Sequence, residues 1–114
     1  MIIDKKTFTE NFKIFDKDIV VEIIDIFKEE YPERMEQLYL ACKTKDGELL
    51  RTASHGLKGV LANFYATKPF EITKHMEEKG KTNDFENIDT LLADLKTSCE
   101  ELLIELETLR IEYS

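Results

Sequence analysis

The chain has few of the residues that build metal centres. Its 114 residues include two cysteines, Cys42 and Cys99, and two histidines, His55 and His75. A structural zinc site needs four ligands at suitable spacing, and these four residues stand singly on different predicted helices. Both cysteines fall within apolar helical stripes, where reduced thiols act as small hydrophobic side chains. The sequence therefore predicts buried, reduced thiols and no metal site.

Long apolar runs and an excess of positive charge are also missing. No apolar stretch approaches the roughly 20 residues that a transmembrane helix needs. The first apolar residues, Ile2 and Ile3, are followed at once by Asp4-Lys5-Lys6, unlike a signal peptide. A net charge of −8 disfavours nonspecific binding to nucleic acid or to anionic membranes. We therefore expect a cytoplasmic protein that binds neither nucleic acid nor membranes.

The composition is that of a folded chain. Hydrophobic residues make up 42% of the sequence and charged residues 35%, which is typical of globular proteins and not of disordered ones. The length suits one domain over residues 1–114. The initiating Met and the compact ends favour a free-standing protein over a segment of a longer one.

No segment shows the alternation of a β-strand, and the apolar residues recur at helical spacing. Phe8, Phe12 and Phe15 predict a short first helix with Thr7 as its N-cap. Pro32 disfavours helix in the residue before it and suits the first turn of a helix. It therefore predicts the end of the second helix and the start of a third.

The rest of the chain reads as three more helices. Asp46 is the predicted N-cap of the first of these, and Gly80 the predicted end of the second. The last begins after Thr82-Asn83-Asp84 and is the longest. Short connections require antiparallel neighbours. The predicted fold is all-α, an antiparallel four-helix bundle with a short N-terminal lid helix and a long C-terminal helix.

His55 lies on the polar face of a strongly amphipathic helix. At 100° per residue, five apolar residues fall about 140° to 220° away from it. These are Leu50, Ala53, Leu57, Val60 and Phe64. Lys58 and Gly59 lie on the histidine's own side. Each helical glycine costs roughly 0.5–1 kcal/mol relative to Ala. Gly56 and Gly59 next to an exposed histidine therefore indicate that a partner approaches the backbone.

These residue types meet the needs of phosphoryl transfer through histidine. A neutral imidazole, with an ordinary pKa near 6.5, is a nucleophile at cytosolic pH. Lys58 lies one turn away on the same face, where an ammonium can meet phosphoryl oxygens. Gly59 has no side chain to shield the ring. His55, Lys58 and Gly59 are therefore the candidate site.

This pattern resembles the histidine-containing phosphotransfer (HPt) domain family. The resemblance lies in His55-Gly56-Leu57-Lys58-Gly59, followed by Ala62-Asn63-Phe64 and Ala66. A proline near the third helix and the acidic Met76-Glu77 in the fifth also match. The resemblance implies that His55 is phosphorylated, that Lys58 stabilises the phosphoryl group and that Gly59 gives a partner access.

Three positions depart from the family pattern. Ser54 stands where Ala is usual, and we expect it to be tolerated beside the active face. Tyr65 stands where Gly is usual, and Pro69 replaces a usual Leu. The last two lie at the junction between the histidine helix and the next, so they bear on the local turn geometry more than on the chemistry.

The resemblance implies a phosphocarrier of two-component phosphorelays, without autonomous kinase activity and without a cofactor of its own. The implied partners are response-regulator receiver domains, a hybrid histidine kinase, or both. Mg²⁺ is expected on the receiver, and this chain is expected to be a monomer. One alternative is an HPt-like interaction module that docks such partners without being phosphorylated. Another is a helical bundle with an unrelated role.

Overall fold

Five helices follow one another in the computed structural model, which describes residues 2–12 and 17–113. They are α1 (Lys5–Phe12), α2 (Lys17–Thr44), α3 (Gly47–Asn63), α4 (Thr67–Lys81) and α5 (Ile88–Tyr113). The described ranges contain no strand, only an isolated β-bridge between Ile3 and Ala66. The prediction of an all-α chain is confirmed.

The four longer helices form a closed bundle. Helix α3 packs against α4, α4 against α5, α5 against α2, and α2 against α3. Short connections between successive helices make neighbours antiparallel. The predicted four-helix bundle with a long last helix is therefore confirmed. The last helix is not the longest, however, because α2 has 28 residues and α5 has 26. No helix in the described ranges is long and apolar enough to cross a membrane.

Helix α2 runs through Pro32, so the predicted break between a second and a third helix is wrong. Proline lacks the N–H that would bond to the carbonyl one turn earlier, a cost of about 3 kcal/mol inside a helix. However, the buried residues of α2 keep one helical phase on both sides of Pro32, from Ile24 and Phe27 to Leu38 and Cys42. Burying this continuous stripe outweighs the lost bond, and Pro32 itself is exposed.

Helix α1 covers the end of the bundle, as predicted for the lid. Phe8 is fully buried and packs on Phe64 and Tyr113, with ring centroids 6.4 and 6.3 Å apart. The N-cap is Asp4 and not Thr7, because the Thr7 backbone N–H donates to Asp4 Oδ1 at 3.1 Å. Phe15 and the side chain of Phe12 lie outside the described residues.

The ends of α3 and α4 show what the departures at the helix junction do. The Asp46 side chain accepts from the Leu49 N–H at 3.0 Å, which confirms the predicted N-cap of α3. Tyr65, two residues after the end of α3, has a φ of +55°, a conformation that glycine adopts most easily. Pro69 lies in the first turn of α4, where no intrahelical N–H is needed.

Gly80 does not end α4, contrary to the prediction. The helix continues to Lys81, and the left-handed residue after it is Asn83, with a φ of +53°. Gly80 is buried where α4 crosses the start of α3. A Cβ there would lie 2.6 Å from the backbone nitrogen of Arg51 and 2.8 Å from the carbonyl oxygen of Gly47. This glycine allows the two backbones to approach closely.

Candidate functional site

Helix α3 presents His55 on the face opposite its packed side. Leu50, Leu57 and Leu61 are fully buried, whereas the His55 side chain is 69% exposed. The helical phase predicted from the sequence is therefore confirmed for the histidine. An imidazole in this position is accessible to another molecule.

A buried carboxylate from α4 lies beneath the imidazole. Glu77 Oε2 is 3.2 Å from His55 Nδ1, and Glu77 Oε1 is 2.6 Å from Lys58 Nζ. The Glu77 side chain is only 7% exposed. A buried carboxylate is stable only when it is paired and hydrogen-bonded. Helices α3 and α4 thus join His55, Lys58 and Glu77 in one cluster.

Glu77 is ionised in this setting. Its pKa lies below the ordinary value, chiefly because of its close pairing with Lys58, whose Nζ lies 2.6 Å from Oε1. Burial acts in the opposite direction, and the hydrogen bond with His55 lowers the pKa further. At neutral pH the carboxylate therefore acts only as an acceptor.

The charge of Glu77 determines where the imidazole proton lies. An ionised carboxylate has no proton to donate, so the hydrogen bond with His55 requires the proton on Nδ1. The neutral ring then carries its lone pair on Nε2. Nε2 is therefore the basic nitrogen of the exposed ring.

The surface beside His55 is bare at Gly59. A Cβ built at this glycine would meet no atom within 4 Å outside the adjacent helix backbone. At Gly56 a Cβ would meet Arg34 Nη1 at 3.1 Å. The internal packing of the chain therefore does not require a glycine at position 59, although it restricts position 56.

Sequence reasoning missed the part that Glu77 plays and underestimated the burial of Lys58. Glu77 follows Met76 on α4 and precedes the buried Gly80 by one turn. The sequence did contain a signal for Glu77, namely a carboxylate beside buried positions, because a buried carboxylate needs a partner. Lys58 was expected on the open face, but its side chain is only 24% exposed owing to the pairing with Glu77. Ser54 is fully buried in the core and does not lie beside the active face.

The remaining candidates for chemistry lie apart from this cluster. His75 is exposed on α4, and Cys42 and Cys99 are buried free thiols, as predicted. Burial raises the pKa of Cys42 to about 11 and that of Cys99 to about 12. Across residues 2–12 and 17–113, no three His, Cys, Asp or Glu side chains are grouped as metal ligands.

Comparison with known families fits this arrangement. The Hpt domain family matches residues 22–110, well over half of the chain and including the whole cluster. The chain belongs to the Hpt domain family. Hpt domains are histidine phosphocarriers of phosphorelays, so the coarse function follows from membership. No curated protein matches the chain by sequence.

A solved structure shares the fold. The histidine-containing phosphotransfer protein B (HptB) from Pseudomonas aeruginosa PAO1 superposes with a TM-score of 0.90 at 20% sequence identity. The match covers 99% of this chain and 97% of that one. The helical architecture is therefore that of an Hpt domain over almost its full length.

Proposed function

We propose that this Hpt domain carries a phosphoryl group on His55 Nε2, exchanging it with the aspartate of receiver domains. The observation that carries the proposal is the contact between Nδ1 of the exposed ring and the buried Glu77 carboxylate. This contact fixes the ring orientation and holds the proton on Nδ1. A nucleophilic nitrogen is thus ready before a partner arrives.

The chemical step conserves charge and atoms. The Nε2 lone pair attacks the phosphorus of an aspartyl phosphate, a P–N bond forms and the P–O bond breaks. The aspartate carboxylate leaves with the electron pair. Because Nδ1 keeps its proton, the phosphorylated ring is cationic, and the Glu77 carboxylate beside it stabilises that charge. The reverse step returns the group to an aspartate.

The partner supplies the rest of the active site in this proposal. Lys58 contributes a cation one turn from His55, and Gly59 lets the receiver backbone approach the ring. Mg²⁺ held by the receiver's carboxylates would neutralise the remaining phosphoryl charge. The chain acts as a carrier without its own kinase activity. Its monomeric state and cytoplasmic location stay predictions.

Phosphotransfer profiling tests the proposal. The chain is incubated with a panel of receiver domains labelled with ³²P on their aspartates, and label on each protein is followed over time. We expect at least one receiver to transfer label to the wild type and to His75→Gln, but not to His55→Gln. Docking without any label transfer across the panel would favour the interaction-module alternative. Label on His55→Gln at the wild-type rate would overturn the assignment.

A further inference from the structure

The cations near His55 differ in how much of their charge is already balanced. Lys58 Nζ lies 2.6 Å from Glu77 Oε1, so a carboxylate matches its charge at close range. Arg51 is matched in the same way, because its Nε and Nη2 both donate to Glu48. Both cations therefore already have a carboxylate partner before a phosphoryl group binds the ring.

Among the described cations that pair with Glu77, Lys81 is the one whose charge is not matched at close range. Its Nζ lies 3.8 Å from Glu77 Oε2, the same oxygen that contacts His55 Nδ1. Lys58 already balances the charge of the carboxylate. The ammonium of Lys81 therefore gives the cluster a net charge of plus one. Its side chain is 56% exposed, which leaves the flexible stem room to move.

We propose that Lys81 is a second phosphoryl-binding cation, which contacts the oxygens of the group on His55. This inference rests on the proposed function. A phosphoryl group brings about −1.5 to −2 charge, which Lys58 alone cannot balance while it neutralises Glu77. Lys81 ends α4 beside the shared carboxylate oxygen, so a rotation of its side chain takes the ammonium from Oε2 towards the phosphoryl oxygens.

A small phosphoryl donor tests this role without a docking partner. Phosphoramidate transfers its group as the Nε2–P bond forms, its own P–N bond breaks and ammonia leaves. The rate of His55 phosphorylation is measured for the wild type, Lys81→Gln and Lys81→Arg. Lys96→Gln is the control, because it removes the same charge from an exposed position on α5.

We expect Lys81→Gln to slow phosphorylation about threefold to tenfold at low salt, as one partly screened charge would. Lys81→Arg should restore most of the rate, and Lys96→Gln should match the wild type. The deficit should shrink below about twofold at 1 M salt, where the Debye length is about 3 Å. Melting temperatures should be equal, so that a folding defect cannot imitate the effect.

The outcomes separate this inference from the proposed function. If the wild type is phosphorylated on His55 and Lys81→Gln reacts equally fast, the role of Lys81 is overturned and the carrier function stands. The same holds if the deficit does not depend on salt or is not rescued by Arg. If the wild type accepts no phosphoryl group from phosphoramidate or from any receiver, both proposals fail.

Discussion

Gly59 and Gly80 lie on adjacent helices, and their surroundings differ so much that a different reason is needed for each glycine. A Cβ at Gly80 would collide with the backbone of Arg51 and Gly47, whereas a Cβ at Gly59 would meet nothing within 4 Å. The first glycine is required by the packing of α3 on α4. The second has no packing reason within the described structure, and it lies four residues after His55.

The contrast separates a glycine that the packing of the chain itself requires from a glycine that the packing does not require. A glycine inside a helix lowers stability by about 0.5–1 kcal/mol relative to Ala. At Gly80 the close approach of two backbones offsets that cost. At Gly59 the cost has no internal compensation, and a receiver surface seated on the ring is the compensation that we propose. Substitutions at the two positions should therefore have opposite effects on stability.

The largest effect is expected at the packed glycine. Gly80→Ala places a methyl group 2.6 Å from backbone, which cannot move aside as a flexible side chain could. We expect a loss of about 2–3 kcal/mol in the free energy of unfolding, measured by urea denaturation. An unchanged urea midpoint would show that α3 and α4 are not in close contact at Gly80.

The next effect concerns the ion pair under His55. Lys58→Ala leaves the buried Glu77 without its closest partner, so we expect a loss of about 1–3 kcal/mol. Replacement of a fully exposed lysine would change the free energy of unfolding by less than about 0.5 kcal/mol. The exposed Lys96→Ala is the matched control and should stay within that smaller range. Phosphotransfer by Lys58→Ala should also slow, and Lys58→Arg should retain part of the rate.

The cost of Lys58→Ala should depend on pH. The pKa of Glu77 is lowered in the folded protein, so its stabilising contribution is present above the unfolded pKa and is lost as the pH falls through the folded pKa. Once Glu77 is protonated, Lys58 has no charge to pair with. The difference between the wild type and Lys58→Ala should therefore shrink in acid. An equal difference at neutral and acidic pH would contradict the ion pair.

A bulky side chain in place of Gly59 should impair docking of the receiver without destabilising the fold. Gly59→Leu should slow transfer from a phosphorylated receiver at least about tenfold, equivalent to about 1.4 kcal/mol. Its melting temperature should not fall, because the position is open. Phosphorylation by phosphoramidate is the internal control and should be far less affected. If the receiver transferred its phosphoryl group to Gly59→Leu at the wild-type rate, access for the partner would not be the reason for this glycine.

The smallest effect is a gain. Gly59→Ala adds a methyl group in open space and improves helix propensity, so the free energy of unfolding should rise by up to about 1 kcal/mol. Chemical denaturation measures the change, with Gly80→Ala as the opposite case. A destabilised Gly59→Ala protein would mean that this glycine has a packing role after all.

Local regularities made much of the fold predictable. The exposed position of His55 follows from the 3.6-residue period of α3, and Asp46 caps that helix by contacts within its own first turn. A helix break was wrongly predicted at Pro32, because the sequence shows the local cost of a proline inside a helix but not the burial that outweighs this cost. The burial that outweighs it depends on which helices pack against α2.

The unpredicted part of the site joins residues that are distant in sequence. His55 and Glu77 are 22 positions apart, and their contact depends on how α3 and α4 cross. The close approach at Gly47 and Gly80 sets that crossing. Lys58 appeared to be a surface lysine because a helical wheel of α3 does not show the carboxylate on α4.

The most direct test is to identify the nitrogen that carries the phosphoryl group. The chain is labelled with ¹⁵N-histidine, phosphorylated and observed by ¹⁵N and ³¹P NMR, with His75→Gln to simplify assignment. We predict that the P–N bond forms at His55 Nε2, with Nδ1 keeping its proton against Glu77. A phosphoryl group on Nδ1 of His55, or on His75 in the wild type, would contradict the account.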